Sequence, residues 1–251
     1  MQQDVNQRGS PTRVEGIPLN PIVLPNTALV VFDCDGVLID SELLASRLMS
    51  ETLREFGVQM STEEVHLSFT GNAESTSRVF CQEALGIIEI DELFKTWQRR
   101  LYKSFDGIEE IDGISNIVTS LTCPICVASN SSLHRLTRSL GRTRLWLAFK
   151  GHIFSADHVL RPKPAPDLFL HCAREFDVSP QRCIVVDDSL HGIAAAEEAG
   201  MFPIGFVDPN DPRKGRAETL LAAGARCIAT GANDLGRCLK MGDKFLSASL
   251  C

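Results

Sequence analysis

This chain has no surplus of positive charge, no long apolar run and no regular cysteine pattern, and each absence removes a class of function. Its 251 residues carry 25 Lys and Arg against 32 Asp and Glu, a formal net charge of −7. A nucleic-acid-binding surface needs a basic face, so nucleic acid is not expected as a partner. An anionic substrate would instead be met by local features: a lysine, a metal ion or helix N-termini. No apolar stretch approaches the ~20 residues of a membrane span, so no membrane is expected either. Residues 1–27 mix polar, charged and Pro/Gly residues, offer no apolar segment for a signal peptide, and read as a flexible tail. The nine cysteines are odd in number and scattered, several in apolar runs (Cys123, Cys126, Cys183, Cys227). Buried reduced thiols in a cytoplasmic protein account for them better than a disulfide framework does. Cys123 and Cys126 have the spacing of a redox or zinc pair, but no second pair or nearby His completes a zinc site. They also lead into an apolar strand instead of opening a helix.

What is present is ordinary globular composition, 44% hydrophobic and 23% charged, in a length that fits one large core or a core with a smaller satellite. Two regimes of periodicity divide it. Apolar residues recur at helical spacing in Ser41–Phe56, from the capping box Ser61-Thr62-Glu63-Glu64, in Glu74–Leu85 and in Asp91–Phe105, with no strand signal between them. From Ile111 onward strands alternate with helices. The strands are Pro124–Ser129, His152–Ser155, Cys183–Val186, Phe202–Phe206 and Ala225–Ala229; the helices are Ser132–Leu140, Asp167–Phe176, Ile193–Ala199, Ala217–Ala223 and Asp234–Leu239. Such alternation predicts an α/β fold with a parallel, doubly wound sheet.

The chemistry gathers at strand ends. Leu29-Val30-Val31-Phe32 is a short apolar run that stops at Asp33-Cys34-Asp35-Gly36. Strand alternation puts the Asp33 and Asp35 carboxylates on one side, at the carboxyl edge of the sheet where ligand sites form. Gly36 allows an immediate turn, and Asp40 or Ser41 can cap the next helix. Two carboxylates held this way suit a divalent cation, a nucleophile and a general acid or base. Ile125 to Ser129 is a strand ending in a hydroxyl and the amide of Asn130. In Arg161-Pro162-Lys163-Pro164, prolines on both sides stiffen the segment and lower the entropy of fixing Lys163. Ile184-Val185-Val186 ends in the adjacent acids Asp187 and Asp188.

These segments, in this order, resemble the motifs of the haloacid dehalogenase-like hydrolases, specifically the β-phosphoglucomutase and phosphatase branch with a helical cap. The resemblance covers about Leu29 to Leu239 and implies a Rossmann-like core with an α-helical cap inserted after the first motif. The domains would be 28–42 with 111–242 for the core and 43–110 for the cap, flanked by tails at 1–27 and 243–251. It further implies that Asp33 is a nucleophile taking the phosphoryl group, and that Asp35 is the general acid and base. Ser129 and the backbone N–H of Asn130 would bind phosphate, and Lys163 both the phosphate and the Asp33 carboxylate. Mg²⁺ would be held by Asp33, the backbone carbonyl of Asp35 and Asp188, with Asp187 either coordinating or acting through water, a set of hard oxygen donors.

Two departures bear on the branch. The mutases carry a His where this chain has Ala45, and a Lys and an Arg where it has Thr70 and Glu74. A Glu there would repel a second phosphate. The Phe-Asp-Cys-Asp-Gly opening is most similar to phosphatases of the 6-phosphogluconate or sugar-phosphate type. The expectation is a cytoplasmic Mg²⁺-dependent phosphatase, compatible with a monomer, acting on a small phosphorylated metabolite. Thr70, Gly71 and Asn72 of the cap are candidates to read substrate hydroxyls.

Overall fold

The computed structural model describes residues 21–211 and 213–248. Its sheet is built from β1 (Leu29–Phe32), β2 (Ile125–Ser129), β3 (Ile153–Ser155), β4 (Cys183–Asp187), β5 (Phe202–Val207) and β6 (Cys227–Thr230). The six strands run parallel in the order β3-β2-β1-β4-β5-β6. The helices are α1 (Glu42–Glu55), α2 (Thr62–Phe69), α3 (Glu74–Glu83), α4 (Ile90–Ser104), α5 (Ile114–Ser120), α6 (Leu133–Ser139), α7 (Trp146–Phe149), α8 (Asp167–Glu175), α9 (Leu190–Glu198), α10 (Arg216–Ala222) and α11 (Gly231–Ala248).

The central strands are apolar throughout because both faces of the sheet are covered. Val30 and Phe32 of β1 join Val127, Ile184 and Ile204 in a layer under α5, α6 and α11. Leu29 and Val31 point the other way, into a layer with Cys126, Val185 and the buried faces of α8 and α9. Helices α1 to α4 form a separate apolar cluster around Leu53, Leu93, Phe94 and Leu101, which is the inserted cap. The chain leaves the core and re-enters it through adjacent segments: Asp40 N–H donates to Glu109 O (3.0 Å) and Ile111 N–H to Leu38 O (3.0 Å). The strand order reverses direction between β1 and β4, so a crevice opens at their carboxyl ends, beneath the cap.

Several sequence expectations need correction. Helices α5 and α7 were not foreseen, being short segments without caps of strong character. Ala225 and Arg226 precede β6, which starts at Cys227. The C-terminal helix does not stop at Leu239, and no tail begins at 243, because α11 continues to Ala248. Gly242 lies within it, flat on the sheet, where a Cβ would come within 3.0 Å of Ile184 and Phe202 side chains. Part of the expected N-terminal tail is likewise core. Ile22 and Leu24 are buried, and the carboxylate of Asp243 on α11 accepts four hydrogen bonds from Asn26 and Thr27 at 2.8–3.0 Å. Residues 1–20 of that tail lie outside the described residues. Cys227 is not a free thiol: it is joined to Cys238 by a disulfide between β6 and α11. Cys34, Cys81, Cys123, Cys126, Cys172 and Cys183 are free, and Cys251 lies outside the described residues. Among the described residues no helix is long and apolar enough to cross a membrane.

Candidate active site

The first motif turns as its glycine suggested, with Gly36 at φ +78°. Asp33 and Asp35 follow β1, Ser129 and Asn130 end β2, and Asp187 and Asp188 end β4. These are three neighbouring strands, so the residues meet at one edge. Lys163 arrives from the loop before α8 and is 4% exposed. Its Nζ donates to Asp33 Oδ1 (2.8 Å), Asp187 Oδ2 (2.7 Å) and Ala128 O (2.7 Å). Burial alone would lower its pKa, but the carboxylates of Asp187 and Asp33 outweigh that and raise it, so the lysine is a fixed cation.

Asn130 holds this lysine in place. Its amide oxygen accepts from Lys163 N–H (3.0 Å), and its amide nitrogen donates to Lys163 O (3.0 Å) and to Gly71 O of the cap loop (3.0 Å). Ser129 is buried, and its hydroxyl accepts from Ser131 N–H (3.1 Å).

The carboxylates differ in their surroundings. Burial pushes the Asp33 pKa up; Lys163 opposes this, and Asp187 and Asp188 add to the rise. Burial acts on Asp35 too, but there the Arg135 guanidinium (3.0 Å) and hydrogen bonds from Ser41 and Ser131 (2.7 Å) win, holding the pKa below its usual value. Asp187 has both oxygens occupied, Oδ2 by Lys163 and Oδ1 by the N–H (2.9 Å) and hydroxyl (2.7 Å) of Ser189. It sits so close to α9 that a Cβ on Gly192 would lie 1.9 Å from its Cγ. Asp188 is the contrast. Burial and the Asp187 charge push its pKa up to about 6, while Oδ1 is buried with no hydrogen-bond partner.

That orphaned oxygen is what a cation site would leave. Ligand atoms of Asp33, Asp187 and Asp188 all lie within 4.8 Å of one another, and all are hard oxygens, the donor type that suits Mg²⁺. The residues therefore fit such an ion. Asp188 and Asp33 are open to direct ligation, whereas Asp187 already takes three hydrogen bonds on its two oxygens.

The cap closes over this edge. The cavity between cap and core is lined by Asp33, Asp35, Ser129, Asn130 and Lys163, and also by Thr70, Gly71 and Asn72. Thr70 is partly committed elsewhere, since its hydroxyl meets His66 Nδ1 at 3.0 Å. Glu74 faces the same cavity but is tied to Arg78 (2.8 Å) and Gln98 (2.7 Å). Ser41 does not cap α1 through its side chain; its hydroxyl goes to Asp35.

Other residues escaped the sequence reading. Arg135 and Ser131 hold Asp35, while Arg213 (3.5 Å) and Arg216 (3.2 Å) approach Asp188 Oδ2. Arg135 did leave a signal. The first turn of α6 has no acid and instead carries this cation, against the helix dipole. Arg213 sits in the polar loop after β5 and Arg216 opens α10, and neither position gives such a sign.

With this geometry in view, comparison with known proteins is informative. Residues 30–206 match the family described as haloacid dehalogenase-like hydrolase. The chain is 33% identical over 192 residues to the 6-phosphogluconate phosphatase of Escherichia coli (strain K12), covering 72% of this chain and 84% of that protein. It is 28% identical over 184 residues to a fructose-1-phosphate phosphatase of the same organism, covering 68% and 92%. Among solved structures it is similar to a conserved haloacid dehalogenase-like protein of unknown function from Agrobacterium tumefaciens str. C58. That likeness has 37% identity and a TM-score of 0.74, over 86% of this chain and 98% of the other. The phosphatase class expected from the motifs is thus the class of these relatives. An acid-lined strand edge under a helical cap, matched along most of its length, makes this chain a member of the haloacid dehalogenase-like hydrolases.

Proposed function

We propose that the protein is a Mg²⁺-dependent phosphatase that cleaves a small phosphorylated sugar or phosphogluconate-like metabolite through an aspartyl-phosphate on Asp33. One observation carries this reading. Lys163 grips only Oδ1 of Asp33, which lines the cavity, and leaves Oδ2 free of hydrogen bonds. A carboxylate anchored at one oxygen and bare at the other is prepared for attack.

Asp33 Oδ2 would form a bond to phosphorus as the ester P–O bond breaks. Asp35 would supply the proton to the departing oxygen. Asp35 then takes a proton from a water whose oxygen attacks the phosphorus, the P–O bond to Asp33 breaks, and phosphate leaves with Asp33 restored. Lys163, fixed by Asn130, carries positive charge beside the transferring group, and Ser129 with the Asn130 N–H would bind its oxygens. Mg²⁺ on Asp33 and Asp188 would neutralise phosphoryl charge and offset the mutual repulsion of the buried acids. Arg135 and the Ser41 and Ser131 hydroxyls hold Asp35 ionised in the resting site, the form the second half-reaction needs as base; the negative charge of a bound phosphate would raise its pKa toward the protonated form the first half-reaction needs.

The mutase alternative asks for a grip on a second phosphate, and Glu74 in the cavity wall works against one. The test is phosphate release with Mg²⁺, and with chelator, over sugar phosphates, 6-phosphogluconate, phosphoglycolate, nucleotides and an aryl phosphate. Asp33→Asn should abolish release and phosphoenzyme formation with an unchanged circular dichroism spectrum. Faster interconversion of hexose phosphates than phosphate release would restore the mutase. Absence of turnover on the whole panel would leave a binding module.

A further inference from the structure

Among the described residues two cations line the cavity, and only one has a donor left for the part of a substrate beyond its phosphate. Lys163 is fully used by Asp33, Asp187 and Ala128. Arg135 is not. Only one of its terminal nitrogens is matched, to Asp35 Oδ1 at 3.0 Å, and its Nε is buried with no hydrogen-bond partner. The guanidinium carbon stands 5.7 Å from the Trp97 ring centre, so the group is seated between the core helix α6 and the cap helix α4.

The bond to Asp35 does not use the whole guanidinium. A cation in the first turn of α6 opposes the helix dipole. An unsatisfied buried donor costs about 1–3 kcal/mol. A planar carboxylate matches the guanidinium fork and would satisfy Nε together with a terminal nitrogen. The remaining polar lining is of another kind. Glu74, held by Arg78 and Gln98, would accept hydroxyl protons and repel a second anion near it. Among the described residues Arg135 is thus the cavity's one cation besides Lys163: one terminal nitrogen lies on Asp35 Oδ1 at 3.0 Å, and the other has no hydrogen bond and can meet a group of the substrate beyond the leaving oxygen.

We infer that Arg135 is a specificity-determining residue that binds a carboxylate on the substrate. The substrate class is then phosphorylated sugar acids, whose intervening hydroxyls face Glu74 and Gln98. This rests on the phosphatase reading of the same cavity, and it goes beyond it by assigning the residue and the distal group.

The experiment compares two ligands that differ only at that end, 6-phosphogluconate and glucitol 6-phosphate, a carboxylate against a hydroxymethyl. Wild type should favour 6-phosphogluconate at least tenfold in kcat/KM. Arg135→Met should bring the ratio within about threefold, mainly by raising KM for the acid, and Arg135→Lys should keep part of the preference. Calorimetric Kd values for both ligands, measured with Mg²⁺ on the Asp33→Asn protein with and without Arg135→Met, give the same comparison without turnover. A wild type indifferent to the carboxylate overturns the inference. So does a fall of equal size on both ligands in Arg135→Met, which would mean that Arg135 acts only through Asp35. An intact Kd preference that collapses in Arg135→Met, in a protein with no turnover on any ester, would sustain the carboxylate assignment while refuting the phosphatase reading.

Discussion

Lys163 is the residue on which the charge balance of the site turns. Its Nζ answers two buried carboxylates and a backbone carbonyl. Replacing it by Met leaves Asp33 and Asp187 without their counter-ion in a dry environment. Breaking a buried pair from one side costs about 3–5 kcal/mol, so urea unfolding of Lys163→Met should show a loss of that size alongside lost turnover. Asp188 gives a pH prediction. Its pKa rises from 3.8 unfolded to about 6 folded, so the folded state keeps a proton through that window while the unfolded chain has released it. Its contribution to stability is therefore present at low pH and lost as pH rises from about 4 to about 6, on the order of 3 kcal/mol by the linkage relation. Asp33 and Glu42, also pushed up by burial, act with the same sign, and Asp35 with the opposite one. In metal-free protein, Asp188→Asn should flatten the dependence of Tm on pH over that range. At neutral pH, Mg²⁺ should raise the wild-type Tm and chelator should reverse the gain. The residues legible in the sequence were those whose role is announced by a neighbour: Asp33, Asp35, Asp187 and Asp188 end apolar runs, and prolines flank Lys163. Arg213 and Arg216 reach the site only through tertiary folding, which no local pattern records, and Arg135 left only the faint sign of a cation in a helix's first turn.

At the scale of elements, the join between β4 and α9 is the tightest. Gly192 lets the first turn of α9 lie against the Asp187 carboxylate, with Ser189 capping the helix and bonding that same carboxylate. Gly192→Ala would force the two apart, because a Cβ at 1.9 Å from Cγ has nowhere to go. Expected is a folded but less stable protein whose kcat falls at least tenfold, read by thermal unfolding and phosphate release together. At the opposite edge of the sheet, α11 ties down the segment before β1 through Asp243. Asp243→Ala should cost about 2–3 kcal/mol, in the range of hydrogen bonds to a charged group, with kcat unchanged. This element was misread for a physical reason. The helical signal ends at Leu239 in the sequence, but the helix runs on through Gly242, where the missing side chain is what permits a close approach to the sheet. The buried strands, by contrast, were plain from their unbroken apolar runs.

For the whole molecule, net charge and local charge disagree. The chain carries −7, yet Lys95, Arg99 and Lys103 of α4 stand with Arg138 and Arg142 around a surface groove that shares Gln98 and Tyr102 with the cavity lining. Such a basic approach raises the local concentration of an anionic substrate and is screened by salt. For a phosphorylated substrate, kcat/KM should drop several-fold between about 20 and 200 mM salt. A Lys95→Glu, Arg99→Glu double variant should show both a lower value and a flatter slope, with kcat unchanged.

The side chain of Asn130 spans the two bodies of the molecule with one amide. Of its three hydrogen bonds, one goes to the cap loop at Gly71, and two close a ring with the backbone of Lys163. If the cap loop lifts to admit substrate, the Gly71 bond is the one that must part; the ring does not depend on it. The lysine that governs the nucleophile thus keeps its address while the roof above it moves, so access can change without retuning the charge on Asp33.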